Sequence, residues 1–321
     1  RSDGRIIAGP TFTDLKGAPL ADLLWNLVPA GDRRWLVGTG PDGRVLELTV
    51  DSREGTYRSE TFAKVDDGQV FALTALPDGR VLAGVSPNGG LYLLERDKTV
   101  ARVVLPVDSL LDLCLIDART ALVATGNPGR IYRVDLERLA AAGVSPEKVV
   151  DAAKLEEKGI RLFGEVRDRN LRRLAIHPDG RVIAGSSPKG NLYTFSRDGG
   201  APLILHENRD AEVTDLVITP AGDLYASFVF STTAGTARIN RPAPVAPTGT
   251  AEKEPPSPPP TEAGVPERFS GRSSLVWFPA GGGFPETLLS RTGVAFYRFL
   301  KRGDHLLIAS GEQGDFLGYD L

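Results

Sequence analysis

Three groups of residues in this chain have types and spacings that chemistry uses. The stretch "VGTGPDGRV", residues 37–45, sets Gly38, Gly40 and Gly43 in a G-x-G-x-x-G, the spacing by which a loop cradles a pyrophosphate. Charged side chains recur at one point of a repeated apolar strand: Asp112, Arg173, Asp215 and Arg298, with Asn26 and Ala72 at the same point of two further copies. The remaining reactive candidates are one cysteine, Cys114, and three histidines, His177, His206 and His305.

Most of these lose their chemistry when the flanking elements are read. A pyrophosphate loop needs a helix after its last glycine, because the helix N-terminus holds the anion. Here "RVLELTVD" follows, rich in strand formers, so the loop joins two strands and phosphate binding at Gly38–Gly43 is not expected. Cys114 lies in "LLDLCLI" with no histidine on either flank and reads as a small buried hydrophobe. His177 follows an apolar strand in "AIHPDG", a turn that other copies build without histidine, so a turn role is expected.

The glycine block returns along the chain: "VLAGVSPNGGLYLL" (81–94), "LVATGNPGRIYRV" (122–134), "VIAGSSPKGNLYTF" (182–195) and "LIASGEQGDFLGY" (307–319). Each reads as strand, tight turn, strand. Pro presets φ in the turn and Gly supplies a left-handed position at its end. A second apolar strand precedes each block, centred on Leu27, Leu73, Leu113, Leu174 and Phe299, and a sixth, centred on Leu216, precedes "DLYASFVF", a partner strand without the tight glycine turn. The small residues Gly38, Gly84, Ala124, Gly185, Ala226 and Ala309 mark the equivalent point of the following strand. A period near 40 residues with four strands per unit is the signature of a β-propeller. The fold class is therefore all-β: one propeller domain over 1–321, six four-stranded blades expected and seven left open, with the stretch "RIIAGPTF" (5–12) available as the last blade's outer strand.

Two long steps hold insertions. Residues 135–159 carry helix signals, with Ser145-Pro146-Glu147 reading as a helix start, and two short helices are expected near 136–142 and 146–157. Residues 240–271 are rich in proline and poor in large apolar side chains, and read as a mobile loop between two strands of the fifth blade.

The stretches "DGRVLAGVSPNGGLYLLERD" and "HPDGRVIAGSSPKGNLYTFSRDG" resemble the repeats of bacterial WD40-like propellers, the group that grades into YVTN, NHL and SMP-30-type repeats. The Gly-His and Trp-Asp dipeptides of true WD40 repeats are missing. The resemblance implies a propeller, often an exported one, so a periplasmic or extracellular location is expected, with the cytoplasm as the alternative.

In such a fold the first strand of each blade lines the central channel, so Asn26, Asp112, Arg173, Asp215 and Arg298 are the channel candidates. Two readings stand: a ring of salt bridges, or a polar pocket for an anionic or polyol ligand. One residue earlier stand Trp25, Phe71, Leu111, Arg172, Thr214 and Tyr297, whose aromatics either pack between blades or form a stacking wall. The loops leading into these strands place Arg167, Arg169, Arg209 and Arg291 on one rim, which together with Trp25 and Tyr297 form a candidate partner surface. The leading functional expectation is a non-enzymatic, monomeric scaffold that binds a protein or glycan through one rim and the central channel, with no cofactor. The alternative is a Ca²⁺-dependent SMP-30-like hydrolase or lactonase with its ion on Asn26, Asp112 and Asp215. A net charge of −3 with scattered basic residues argues against nucleic acid, and no apolar run is long enough to insert in a membrane.

Overall fold

A computed structural model describes residues 14–66, 68–146, 149–230, 269–311 and 315–320. Their strands fall into six successive antiparallel units. Unit 1 comprises β1 (Leu23–Pro29), β2 (Arg34–Gly40), β3 (Arg44–Asp51) and β4 (Thr56–Lys64); unit 2 comprises β5 (Gln69–Ala75), β6 (Val81–Ser86), β7 (Gly90–Glu95) and β8 (Lys98–Val104). Unit 3 holds β9 (Ser109–Asp117), β10 (Thr120–Gly126) and β11 (Arg130–Asp135), then α1 (Leu136–Ala142), α2 (Ala152–Glu157) and β12 (Ile160–Glu165). Unit 4 holds β13 (Asn170–Ile176), β14 (Val182–Ser187), β15 (Leu192–Phe195) and β16 (Leu203–His206), and is tied to unit 3 by the single pairing Gly126↔Asn170. Unit 5 holds β17 (Glu212–Ile218), β18 (Leu224–Phe230), β19 (Arg272–Phe278) and β20 (Glu286–Thr292). Unit 6 shows β21 (Phe296–Arg302), β22 (His305–Ser310) and β23 (Asp315–Asp320).

First strands pack side by side in chain order, from β1 through β5, β9, β13 and β17 to β21. Each unit lays its front face on the back of the unit before it. Val70, Leu73 and Ala83 of unit 2, for example, share one core with Leu36, Val45 and Phe62 of unit 1. Burying each such Leu or Val removes it from water at a gain of roughly 1.5–3 kcal/mol. The central leucines Leu73, Leu113, Leu174 and Leu216 are buried as expected. Leu27 is not: it is 56% exposed, because among the described residues β1 lacks the close packing on β21 that the other first strands have on one another. The expected outer strand at residues 5–12 lies outside the described residues.

Strands β2 and β3 meet at one rim, and so do the loops that lead into each first strand. At this proximal rim the hairpin turns carry cis Gly40–Pro41, Ser86–Pro87, Asn127–Pro128 and Ser187–Pro188 bonds. Gly43 and Gly89 take the positive φ the sequence leads one to expect, +62° and +59°. Gly129 and Gly190 do not, and their reason is space: a Cβ would stand 2.5 Å from the Asp168 carbonyl oxygen and 3.0 Å from that of Ala211. The turn glycines let each hairpin abut the leading loop of the next unit. The first G-x-G-x-x-G has the same explanation, since Cβ atoms at Gly38, Gly40 and Gly43 would meet Val70 O, Gln69 Oε1 and Gly68 O at 2.6, 2.7 and 2.9 Å.

Two local expectations need correction. The point of β18 equivalent to Gly38, Gly84, Ala124 and Gly185 is Ser227, which pairs with Asp215, not Ala226, which pairs with Leu216. The second helix begins at Ala152 with Asp151 as its cap, not at Ser145. Ser145 instead donates its N–H to Arg102 O, while Val150 donates to Val104 O, so the insertion covers the outer edge of β8 and removes an open sheet edge. β18 ends and β19 begins at the proximal rim, with Phe230 opposite Arg272; residues 240–268 of the expected Pro-rich insertion lie outside the described residues.

Candidate functional site: channel strands and proximal rim

Every first strand carries a register irregularity at one point. The pairing skips Trp25, Phe71, Leu111, Arg172, Thr214 and Tyr297 in turn. A bulge leaves its extra residue unpaired and re-aims the next side chain. The residues after the bulge are Asn26, Ala72, Asp112, Arg173, Asp215 and Arg298, so a shared backbone defect explains why charge sits there.

Four of these side chains, Asn26, Asp112, Arg173 and Asp215, reach across to the next first strand. Asn26 Nδ2 donates to Phe71 O at 2.7 Å and its Oδ1 accepts from Gly38 N. Asp112 Oδ2 accepts from Leu174 N at 2.8 Å. Arg173 Nε donates to Thr214 O at 2.9 Å, and Asp215 Oδ2 accepts from Phe299 N at 2.6 Å. Asp215 Oδ1 also lies 3.5 Å from Arg173 Nε and 3.6 Å from Arg298 Nη1. Apart from the Gly38 contact, which lies within unit 1, each contact staples one unit to its successor. The Asp–Arg–Asp–Arg order therefore yields one three-member ion cluster on Asp215, while Asp112 is held by a backbone N–H.

Electrostatics match this placement. Burial pushes the Asp112 carboxyl above its usual range, with Arg173 and Arg298 opposing the rise. Burial, then the neighbouring Arg298, pulls Arg173 down to about 10. A carboxyl raised in the folded state loses stability as pH climbs from 3.8 through its folded value. Asp112→Asn keeps an acceptor for Leu174 N and removes the half-buried charge. It is expected to melt above wild type at pH 7, with the advantage shrinking at pH 4; a differential scanning fluorimetry series across that range reads the difference.

The bulge residues also join neighbours. Trp25 stacks on Phe71 with ring centroids 4.1 Å apart, Arg172 pairs with Glu212 at 2.5 Å, and Thr214 Oγ1 donates to Phe296 O. Tyr297 stays half exposed with no ring against it among the described residues. On the proximal rim Arg167, Arg169, Arg209 and Arg291 are all exposed; Arg209 lies 3.6 Å from Glu207 and Arg291 Nη1 donates to Ser290 O. The structure thus gathers the rim set on one face and the channel set on adjoining strands.

Sequence reading passed over the residue between the two loop arginines. Asp168 is buried, and its Oδ2 accepts from Asn191 Nδ2 and Tyr193 Oη, both at 2.8 Å, with Ser186 Oγ at 2.7 Å. No local signal in "EVRDRN" distinguishes this aspartate, because its partners are 18 to 25 residues away.

Histidine and cysteine take structural places. His177 Nδ1 lies 2.8 Å from Asp179, His305 Nδ1 lies 2.6 Å from Asp320, and His206 meets Phe228 and Phe278 edge-on. Burial pushes the Cys114 thiol up to about 12. The thiolate is the reactive form, so Cys114 is expected to resist Ellman's reagent at pH 8 in the folded protein and to react on unfolding in guanidinium; prompt reaction without denaturant would contradict this placement.

No protein-family model matches the chain, and no curated protein matches its sequence. Solved structures do match. A 6-phosphogluconolactonase-like protein from Bacteroides uniformis superposes at TM-score 0.59 with 13% identity, covering 95% of this chain and 83% of its own. The extracellular domain of a hybrid two-component system protein from B. thetaiotaomicron gives 0.60 and 8%, covering 98% of this chain and 37% of the other. A structure of the nidogen–laminin complex gives 0.53 and 12%, covering 89% of each chain. Antiparallel units packed in series, four-stranded except for the three strands described in unit 6, together with these neighbours define the fold as an all-β propeller. At these identities the likeness shows the fold alone. No helix among the described residues is long and apolar enough to cross a membrane.

Proposed function

We propose that this chain is a non-enzymatic, six-bladed propeller scaffold that binds a protein or glycan partner bearing carboxylates or sulfates through its proximal rim. The observation that carries this reading is the division of labour among the polar residues. Channel groups Asn26, Asp112, Arg173 and Asp215 are engaged by the backbone of the next unit. Arg167 and Arg169, by contrast, are exposed on either side of the anchored Asp168. An anchored loop presenting free guanidiniums suits recognition of planar or tetrahedral anions.

The Ca²⁺-dependent alternative asks Asn26, Asp112 and Asp215 to ligate one ion. They do not fit it: each already accepts a backbone N–H, and Arg173 and Arg298 stand beside Asp215. Export of the chain as a monomer to the periplasm or beyond completes the reading, supported by the extracellular domain among its structural neighbours.

An array of sulfated and uronic-acid glycans, together with acidic peptides, tests the proposal. Wild type is expected to bind members of one class, and Arg167→Glu with Arg169→Glu to abolish binding at an unchanged melting temperature. Binding unaffected by both changes, or turnover of lactones that EDTA abolishes, would overturn it.

A further inference from the structure

On the distal rim, opposite the proposed partner surface, the helical insertion forms one wall of a cleft of about 790 Å³. Its lining includes Arg133, Arg138, Arg161 and Thr120. Arg133 and Arg161 are direct cross-strand partners on β11 and β12. Like charges placed directly opposite each other on a sheet destabilise it. Among the described residues neither guanidinium has a carboxylate within ion-pair distance.

The nearby acids are largely committed elsewhere. Asp135 caps α1 through Glu137 N and Arg138 N, and Glu137 pairs with Arg119. Asp117, whose charge reaches Arg133, accepts from Arg119 N. Glu156 and Glu157 line the cleft and are exposed. Arg138 is held in position, since its Nη2 donates to Glu156 O at 2.9 Å and Glu157 O at 3.2 Å. Arg133 also borders the adjoining cleft of about 580 Å³, where Arg197 and His177 stand on unit 4.

We infer that this cleft is a binding site for a tetrahedral oxyanion, a phosphate or phosphate monoester seated between Arg133 and Arg161 with Arg138 closing it. Such an anion accepts from both guanidiniums and turns their repulsion into attraction. This explains why two arginines face each other across a strand pair, and it gives the insertion a purpose beyond covering β8.

Isothermal titration of the full chain with inorganic phosphate and with glucose 6-phosphate, at ionic strength matched by chloride, tests the site and separates a free ion from a sugar-borne one. Saturable binding of at least one probe is expected. Arg133→Gln with Arg161→Gln should weaken it about a hundredfold, given two lost charge-assisted contacts. The same double variant should melt at or above wild type in chloride, which shows that it folds. Glu156→Gln with Glu157→Gln should tighten binding by removing like charge from the wall. Absence of saturable binding by wild type, or equal affinity in the arginine variant, would overturn the inference, whatever the fate of the proximal-rim reading.

Discussion

Gly89→Ala is expected to lower the unfolding free energy by roughly 3 kcal/mol, combining left-handed strain with a backbone clash. The residue sits at φ +59°, and a Cβ there would stand 2.5 Å from Val107 O and 2.9 Å from Leu105 O. Both oxygens belong to the backbone of a tied loop. Leu105 N donates to Gly89 O, and Val107 N donates to Leu105 O, so hairpin and leading loop are locked together. Gly79 is the matched control, with φ +89° and nothing within 4 Å of its Cβ position. Gly79→Ala then reports strain alone, about 1 kcal/mol. Equal losses for the two variants in urea melts would show that close approach between units contributes nothing. The comparison also tests the reading of the first G-x-G-x-x-G, whose glycines face the next unit in the same way.

A second large effect is expected at Asp168. Replacing it with alanine should cost about 3–5 kcal/mol, because a buried polar cluster loses its common acceptor. Asn191 Nδ2 and Tyr193 Oη would be left without the carboxylate they share. Burial already pushes the Tyr193 hydroxyl up to about 12, so it stays a neutral donor throughout ordinary pH. Asp168→Asn keeps one oxygen acceptor and should cost less. Adding Tyr193→Phe to Asp168→Ala removes a stranded donor and should recover part of the loss, a coupling that a double-mutant cycle measures. Full additivity would mean that the two residues do not act as a cluster. Because Asp168 anchors the loop between Arg167 and Arg169, its loss should also blur any binding by the proximal rim.

Much of this architecture is local, and local pattern is what a sequence carries. Strand, tight turn and strand recur with the same Pro and Gly positions, so the repeat and its period are readable from "VGTGPDGRV" onward without any contact map. The equivalence of Asn26, Ala72, Asp112, Arg173, Asp215 and Arg298 was readable too, because each stands at a fixed distance from a central apolar residue. Their purpose was not. A bulge one residue earlier turns each side chain toward its neighbour's backbone, and a bulge shows only when two strands are paired. Leu27 makes the same point in the other direction. It matches Leu73 in sequence but is exposed, since burial depends on which unit stands in front of it.

Composition, repeat and turn chemistry by themselves determined the all-β repeat, its unit length, the helical stretch after β11 and the inert surroundings of Cys114. Tertiary structure alone decided that Asp168 is a hub, that the turn glycines serve contacts between units, and that Arg133 faces Arg161. The physical reason is distance along the chain. Hydrophobic period and turn propensity act over a few residues, whereas a hydrogen bond from Tyr193 to Asp168, or a guanidinium set opposite another, exists only after strands far apart in sequence have been brought into register.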